Sequence, residues 1–203
     1  MYLDSIRSIL IALMDHPHIL KRVQAEIDDA VSAGTVSFPI TYAQSIKLPL
    51  TQACIKEAMR LQPSVGATMP RLVPAGGATI AGHFFPAGTV VGMAPRVVHT
   101  DTAAFGDDAK VFNPDRWLGP KKAEMDKYIV SCTPPLPSHV SYISLTIPTV
   151  GAGLRICIGR NISVCEIAKT IPTLVNAFEF EYATAQKYDV WTGWFNLHVS
   201  IGA

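Results

Sequence analysis

Proline placement constrains this fold more than any other feature of the sequence. Proline lacks a backbone N–H and cannot sit inside a regular helix without cost, so it marks helix boundaries. In "YLDSIRSILIALMDHP" the apolar residues Ile6, Ile9, Leu10 and Leu13 recur at helical spacing, and His16–Pro17 stops the pattern. "HILKRVQAEIDDAV" repeats the spacing with Ile19, Val23, Ile27 and Val31, and Gly34 follows as a C-terminal cap. "TYAQSIKL" predicts a short helix, and "PLTQACIKEAMRLQP" a longer one framed by Pro49 and Pro63. From Val65 to Pro95 the character changes. "TMPRLV", "GATIAG", "HFFPAG" and "TVVGMA" read as short strands joined by tight turns, a small antiparallel sheet rather than a separate domain. "FGDDAKVFNPDRWLGP" mixes aromatic residues with turn formers and predicts ordered coil.

Downstream, Ile158, Ile162, Cys165, Ala168, Ile171, Val175 and Phe178 predict one face of a fourth long helix, with Pro172 kinking it or leaving a carbonyl unpaired. "FEFEYA" and "WFNLHVSI" read as terminal strands. Residues 130–149 fit neither pattern: they hold four prolines, many Ser and Thr, and no charged side chain. Unstructured loops of that length are uncommon in compact domains.

Apolar residues make up 49% of the 203, which supplies a core and argues against disorder. The formal charge of +1 leaves no electrostatic footprint for nucleic acid. No apolar run reaches bilayer-spanning length, and Met1 is not followed by a signal-peptide pattern. The cysteines, Cys54, Cys132, Cys157 and Cys165, form no C-x-x-C pair, which argues against a structural zinc site.

Two segments carry chemistry. Glu57 and Arg60 in "KEAMR" are three apart and share a helix face. They read as a surface ion pair or as the start of a buried network, to which Asp115 and Arg116 of "FNPDRW" could add partners, because a buried guanidinium has five donors to satisfy. In "GAGLRICIGR", Cys157 reads as packing or as a reactive thiolate. Gly151 and Gly153 let the backbone approach a partner, Arg155 adds a cation, and the positive end of the next helix stabilises a thiolate. Such a thiolate is a metal ligand or a nucleophile. A nucleophile needs a histidine base. His16, His18 and His139 read as surface residues and His99 as a structural one.

In that order, "KEAMR", "FNPDRW" and "GAGLRICIGR" resemble the cytochrome P-450 family of heme-thiolate monooxygenases. Glu57 and Arg60 match its E-x-x-R, and Phe112, Pro114 and Arg116 its aromatic-x-Pro-x-Arg segment. Gly153, Arg155, Cys157 and Gly159 match F-x-x-G-x-R-x-C-x-G, with Val150 at the phenylalanine position. The first helices are most similar to filamentous-fungal members. The resemblance implies a mainly α fold with small antiparallel β-sheets, the C-terminal portion of the cytochrome P-450 fold, over residues 1–203 from the end of the oxygen-activating helix onward. Residues 130–149 would be an insertion foreign to the family, read either as a genuine loop or as translated non-coding sequence.

The resemblance also implies heme b, iron protoporphyrin IX, with Cys157 as axial iron ligand. Arg155 and Arg71 would pair with its propionates, and amides near Ile158 and Gly159 would tune the sulfur, with Gly153 and Gly159 shaping the loop. Glu57, Arg60 and Arg116 would form a buried structural triad. No residue of the chain is assigned a catalytic role, since the acid–alcohol pair that delivers protons to dioxygen would lie at or before Met1. Full-length members imply an NADPH-dependent reductase, a small organic substrate, the cytosolic face of the endoplasmic reticulum membrane and fungal secondary-metabolite synthesis. No anchor or signal peptide is read in this chain, and the competing expectation is a non-catalytic remnant that binds heme poorly.

Overall fold

A computed structural model describes residues 2–68, 70–129, 158–182, 188–192 and 197–201. Helices dominate: α1 (Tyr2–Asp15), α2 (Pro17–Ser32), α3 (Tyr42–Ser45), α4 (Pro49–Leu61), α5 (Pro95–Val98), α6 (Thr102–Phe105), α7 (Lys122–Met125) and α8 (Arg160–Ala177). The proline punctuation acts as chemistry requires. Pro17, Pro49 and Pro95 occupy first-turn positions, where the missing N–H removes no helical bond. Gly34 follows α2 at φ 70°, and Thr35 N–H reaches back to the Ala30 carbonyl at 3.0 Å, closing the helix end.

The core lies where α1, α2, α4 and α8 meet. Ile9 and Leu13, Ile19, Val23 and Ile27, Cys54 and Ala58, and Ile167, Ile171 and Val175 form one buried cluster. Each fully buried Val, Leu or Ile side chain contributes about 1.5–3 kcal/mol through removal from water. The central helix is α4, buried at Leu50, Thr51, Ala53, Cys54, Ile55, Glu57, Ala58 and Arg60. Leu48 at its N-cap offers no side-chain acceptor. Glu26 of α2 serves instead: its carboxylate accepts Leu50 N–H at 2.7 Å, Thr51 N–H at 2.8 Å and the Thr51 hydroxyl at 2.7 Å. A tertiary contact thus caps the helix and places an anion at its positive end.

The glycine-rich region forms two separate two-stranded ladders instead of one sheet. β1 (Arg71–Leu72) pairs with β4 (Val90–Val91), and β2 (Ala78–Ile80) with β3 (His83–Phe85), all antiparallel. Ala81 and Gly82 join β2 to β3 with φ of 49° and 81°, the two positive values of a type I′ hairpin turn. β5 (Tyr188–Thr192) pairs with β6 (Leu197–Ile201).

Three local expectations change. "FEFEYA" is not a strand over its described residues 178–182; the strand that pairs with "LHVSI" is β5, closer in sequence, where a short connection makes a hairpin. The buried face of α8 starts later than its apolar spacing suggests: Ile158 is 100% and Ile162 64% exposed, as is Phe178 at 59%. The side chains with which it enters the core beside α1, α2 and α4 are Ile167, Ile171 and Val175. The segment from Gly106 to Pro120 is coil interrupted by a 3₁₀ turn at Pro114–Trp117. Pro172 lies within α8, which continues through it. Residues 130–149 lie outside the described part.

Candidate functional site

The best-defined polar constellation is centred on Glu57. Both Glu57 and Arg60 have side chains with 0% exposure, so the pair is buried rather than a surface contact. Helical i,i+3 spacing aligns them, and the guanidinium forks onto the carboxylate: Nε donates to Oε2 and Nη2 to Oε1, both at 2.8 Å. Arg60 Nη1 donates to the Ala109 carbonyl at 2.6 Å and to the His99 carbonyl, and Nη2 reaches the Val111 carbonyl at 3.4 Å. All five donors therefore have acceptors, which is the condition for burying a guanidinium. The Phe105 ring lies 4.9 Å from the guanidinium carbon and covers it.

Glu57 is as fully occupied. Oε1 also accepts Arg116 Nε at 2.9 Å and Asn113 N–H at 3.1 Å, and Oε2 accepts Trp117 Nε1 at 2.8 Å. The second arginine continues the network outward. Arg116 donates to the Phe105 carbonyl at 2.7 Å and to the Asp108 carbonyl at 3.0 Å, and pairs with the Asp108 carboxylate at 2.9 Å. The Asn113 amide and then Arg116 hold the Asp108 carboxyl below the usual carboxylate range. With Glu57 and Asp108 against Arg60 and Arg116, the charges in the network cancel.

The network ties α4 to a chain that has almost no regular structure of its own. His99 closes one side: its Nδ1–H donates to the Arg60 carbonyl at 2.9 Å while its own carbonyl accepts from Arg60 Nη1. His99 is fully buried, and burial, opposed by that hydrogen bond and aided by the Arg60 charge, brings its pKa down to about 4.

The structure thus brings Glu57, Arg60 and Arg116 together. It sends Asp115 elsewhere. That carboxylate points outward to Arg22 of α2, at 2.6 and 3.0 Å, because neighbouring residues of a tight 3₁₀ turn face different directions. Sequence reasoning missed Trp117, Asn113 and Asp108. Trp117 had a signal, since an indole N–H must find an acceptor when buried. The Asn113 backbone N–H had none. His16 is half-buried instead of a surface residue, with its ring 4.9 Å from Phe112 and Nδ1 donating to the Ala12 carbonyl at 2.8 Å. Cys54 is an inert core thiol whose pKa burial pushes up to about 12.

Gly153, Arg155 and Cys157 lie outside the described residues. Gly159 is the N-cap of α8 and, having no side chain, leaves the first turn without a side-chain cap. Arg71 lies at the start of β1, half-exposed, and donates to the Pro70 carbonyl at 2.9 Å. No carboxylate pairs with it among the described residues.

A mainly helical chain with small ladders, its central helix locked by a Glu–Arg–Arg network to a coiled segment, is the architecture expected of a heme-thiolate monooxygenase. The Cytochrome P450 family model matches residues 4–195, and the chain belongs to the cytochrome P450 family. Its relatives include fungal proteins. Pisatin demethylase of Fusarium vanettenii is 39% identical over 178 residues, covering 88% of this chain and 31% of that protein. Cytochrome P450 monooxygenase pkfB of Emericella nidulans is 33% identical over 190 residues, 93% of this chain and 34% of that protein. Cytochrome P450 monooxygenase ACRTS1 of Alternaria alternata is 35% identical over 184 residues, 91% of this chain and 45% of that protein. The chain therefore spans from 31% to 45% of the length of these relatives. Full-length members of the family hold a heme-thiolate cofactor and act with a redox partner on an organic substrate. Among the described residues no helix is long and apolar enough to cross a membrane.

Proposed function

We propose that residues 1–203 form the heme-binding part of a fungal cytochrome P450 monooxygenase, in which Cys157 would hold the heme iron through its thiolate and residues 130–149 would be an insertion. The observation that carries this reading is the Glu57-centred network. It joins two of the three family motifs in space, and the third ends at Gly159, on the N-terminus of α8. Two features suit a flat apolar ring that bears carboxylates. One is the first turn of α8: its free N–H groups, following Cys157 in the chain, favour an anionic sulfur there. The other is β1–β4, where Arg71 has no acidic partner among the described residues and the paired Leu72 and Val90 are 71% and 65% exposed. Arg155 and Arg71 would hold the propionates, and Gly153 and Gly159 would leave room for the backbone to pass close to the ring. Heme, when bound, supplies the activation of dioxygen for oxidation of an organic substrate. The chain's own contribution is binding and support. Glu57, Arg60 and Arg116 fix the coil around Phe112 against α4, and α8 presents the cysteine loop from a helix anchored at Ile167, Ile171 and Val175.

The whole protein would draw electrons from an NADPH-dependent reductase at the endoplasmic reticulum membrane, with a small organic substrate of fungal secondary metabolism. The test is to reconstitute the chain with heme, reduce it and add carbon monoxide. A strongly red-shifted Soret band that Cys157→Ala abolishes is the expected result. Absence of the band from the unaltered chain sinks the proposal and assigns the chain to a non-catalytic remnant with impaired heme binding.

A further inference from the structure

A cavity of about 320 Å³ opens between α4, α8 and α7, with Trp117 of the Glu57 network in its wall. Its walls are apolar, formed by side chains that include Ile55, Met59, Val164 and Ile167, and its lining includes two cations, Lys56 and Lys122, and no carboxylate among the described residues. Lys56 is already engaged: its ammonium lies 4.3 Å from the centre of the Trp117 ring and bonds the Asp126 carboxylate. Lys122 is exposed and has no side-chain partner among the described residues. Burial, and then the charge on Lys122, bring the Lys56 pKa down to about 8.

We infer that this cavity is a binding site for a small amphipathic carboxylate, its chain against α4 and α8 and its head group at Lys122. Charge complementarity selects that class. A neutral apolar ligand leaves Lys122 without a counter-charge, and a small hydrophilic anion forgoes the walls. The volume falls at the lower end of small-molecule pockets, which suits a medium-chain fatty carboxylate. The site uses none of the residues assigned to heme, so its test stands apart from that reading.

The probes are decanoate and the neutral decanol, titrated calorimetrically into the full chain below micelle-forming concentrations, with and without added heme. Decanoate is expected to bind at one saturable site in both cases. Lys122→Gln should weaken decanoate about three- to fivefold, as for a partly screened ion pair, and leave decanol unchanged. Val164→Phe, at a half-buried position in the wall, should weaken both ligands at least tenfold while the thermal transition is retained. The inference is overturned if decanoate shows no saturable binding, if Lys122→Gln shifts both ligands equally or neither, or if Val164→Phe folds and binds as before.

Discussion

Replacing Glu57 by glutamine tests the buried network most directly. The carboxylate accepts five hydrogen bonds, from Arg60 Nε and Nη2, Arg116 Nε, Asn113 N–H and Trp117 Nε1. Glutamine keeps one acceptor oxygen and presents an NH₂ group to the remaining donors. It also removes the anion between two arginines, leaving the cluster with one net positive charge where burial is complete. Breaking a buried pair in this way costs about 3–5 kcal/mol. Against a total stability of about 5–15 kcal/mol, that is a large share. In urea, with a slope of about 2 kcal/mol per M, the unfolding midpoint should fall by about 2 M with the slope unchanged. The control is Arg22→Gln, which breaks the Arg22–Asp115 pair, where the side chains are 46% and 53% exposed. That change should cost less than about 1 kcal/mol. Equal midpoint shifts for the two variants would refute the argument that burial and complete hydrogen bonding, and not the ion pair as such, give the network its weight.

Two other measurements probe the scaffold. Glu26→Ala removes the carboxylate that caps α4 and strands the buried Thr51 hydroxyl, and should cost about 2 kcal/mol in the same urea experiment. His99 sets a pH dependence: its folded pKa of about 4 lies below the unfolded value of about 6.5, so the unfolded chain takes up the proton first. The stability it allows is complete above pH ~6.5 and is lost as pH falls toward about 4, by about 3 kcal/mol in all. Midpoints measured across that window should slope downward with acid, and His99→Gln, though less stable at neutral pH, should flatten the slope.

Much of the architecture was legible because helical spacing and proline chemistry are local. Apolar recurrence in α1, α2 and α4 and first-turn prolines need no tertiary partner to be recognised, and the first helices end within a residue or two of those marks. The same locality misled where burial depends on neighbours. Ile158 and Ile162 carry the apolar spacing of α8, yet the side chains it buries in the core come from its later turns. "FEFEYA" has strand composition, but a strand exists only when another segment pairs with it.

The candidate site divides in the same way. The sequence by itself determined the family motifs: Glu57 and Arg60 at a spacing that aligns them on one helix face, Arg116 in its aromatic-proline context, and Cys157 among glycines before a helix. Only the tertiary structure decided that Glu57 is fully enclosed, that Trp117 and the Asn113 amide complete its shell, that Asp115 turns away to Arg22, and that Glu26 caps a helix 24 residues further along. The physical reason is that covalent spacing sets which side chains share a face. Which groups lose water, and which donors meet which acceptors, is set by segments brought together from distant parts of the chain.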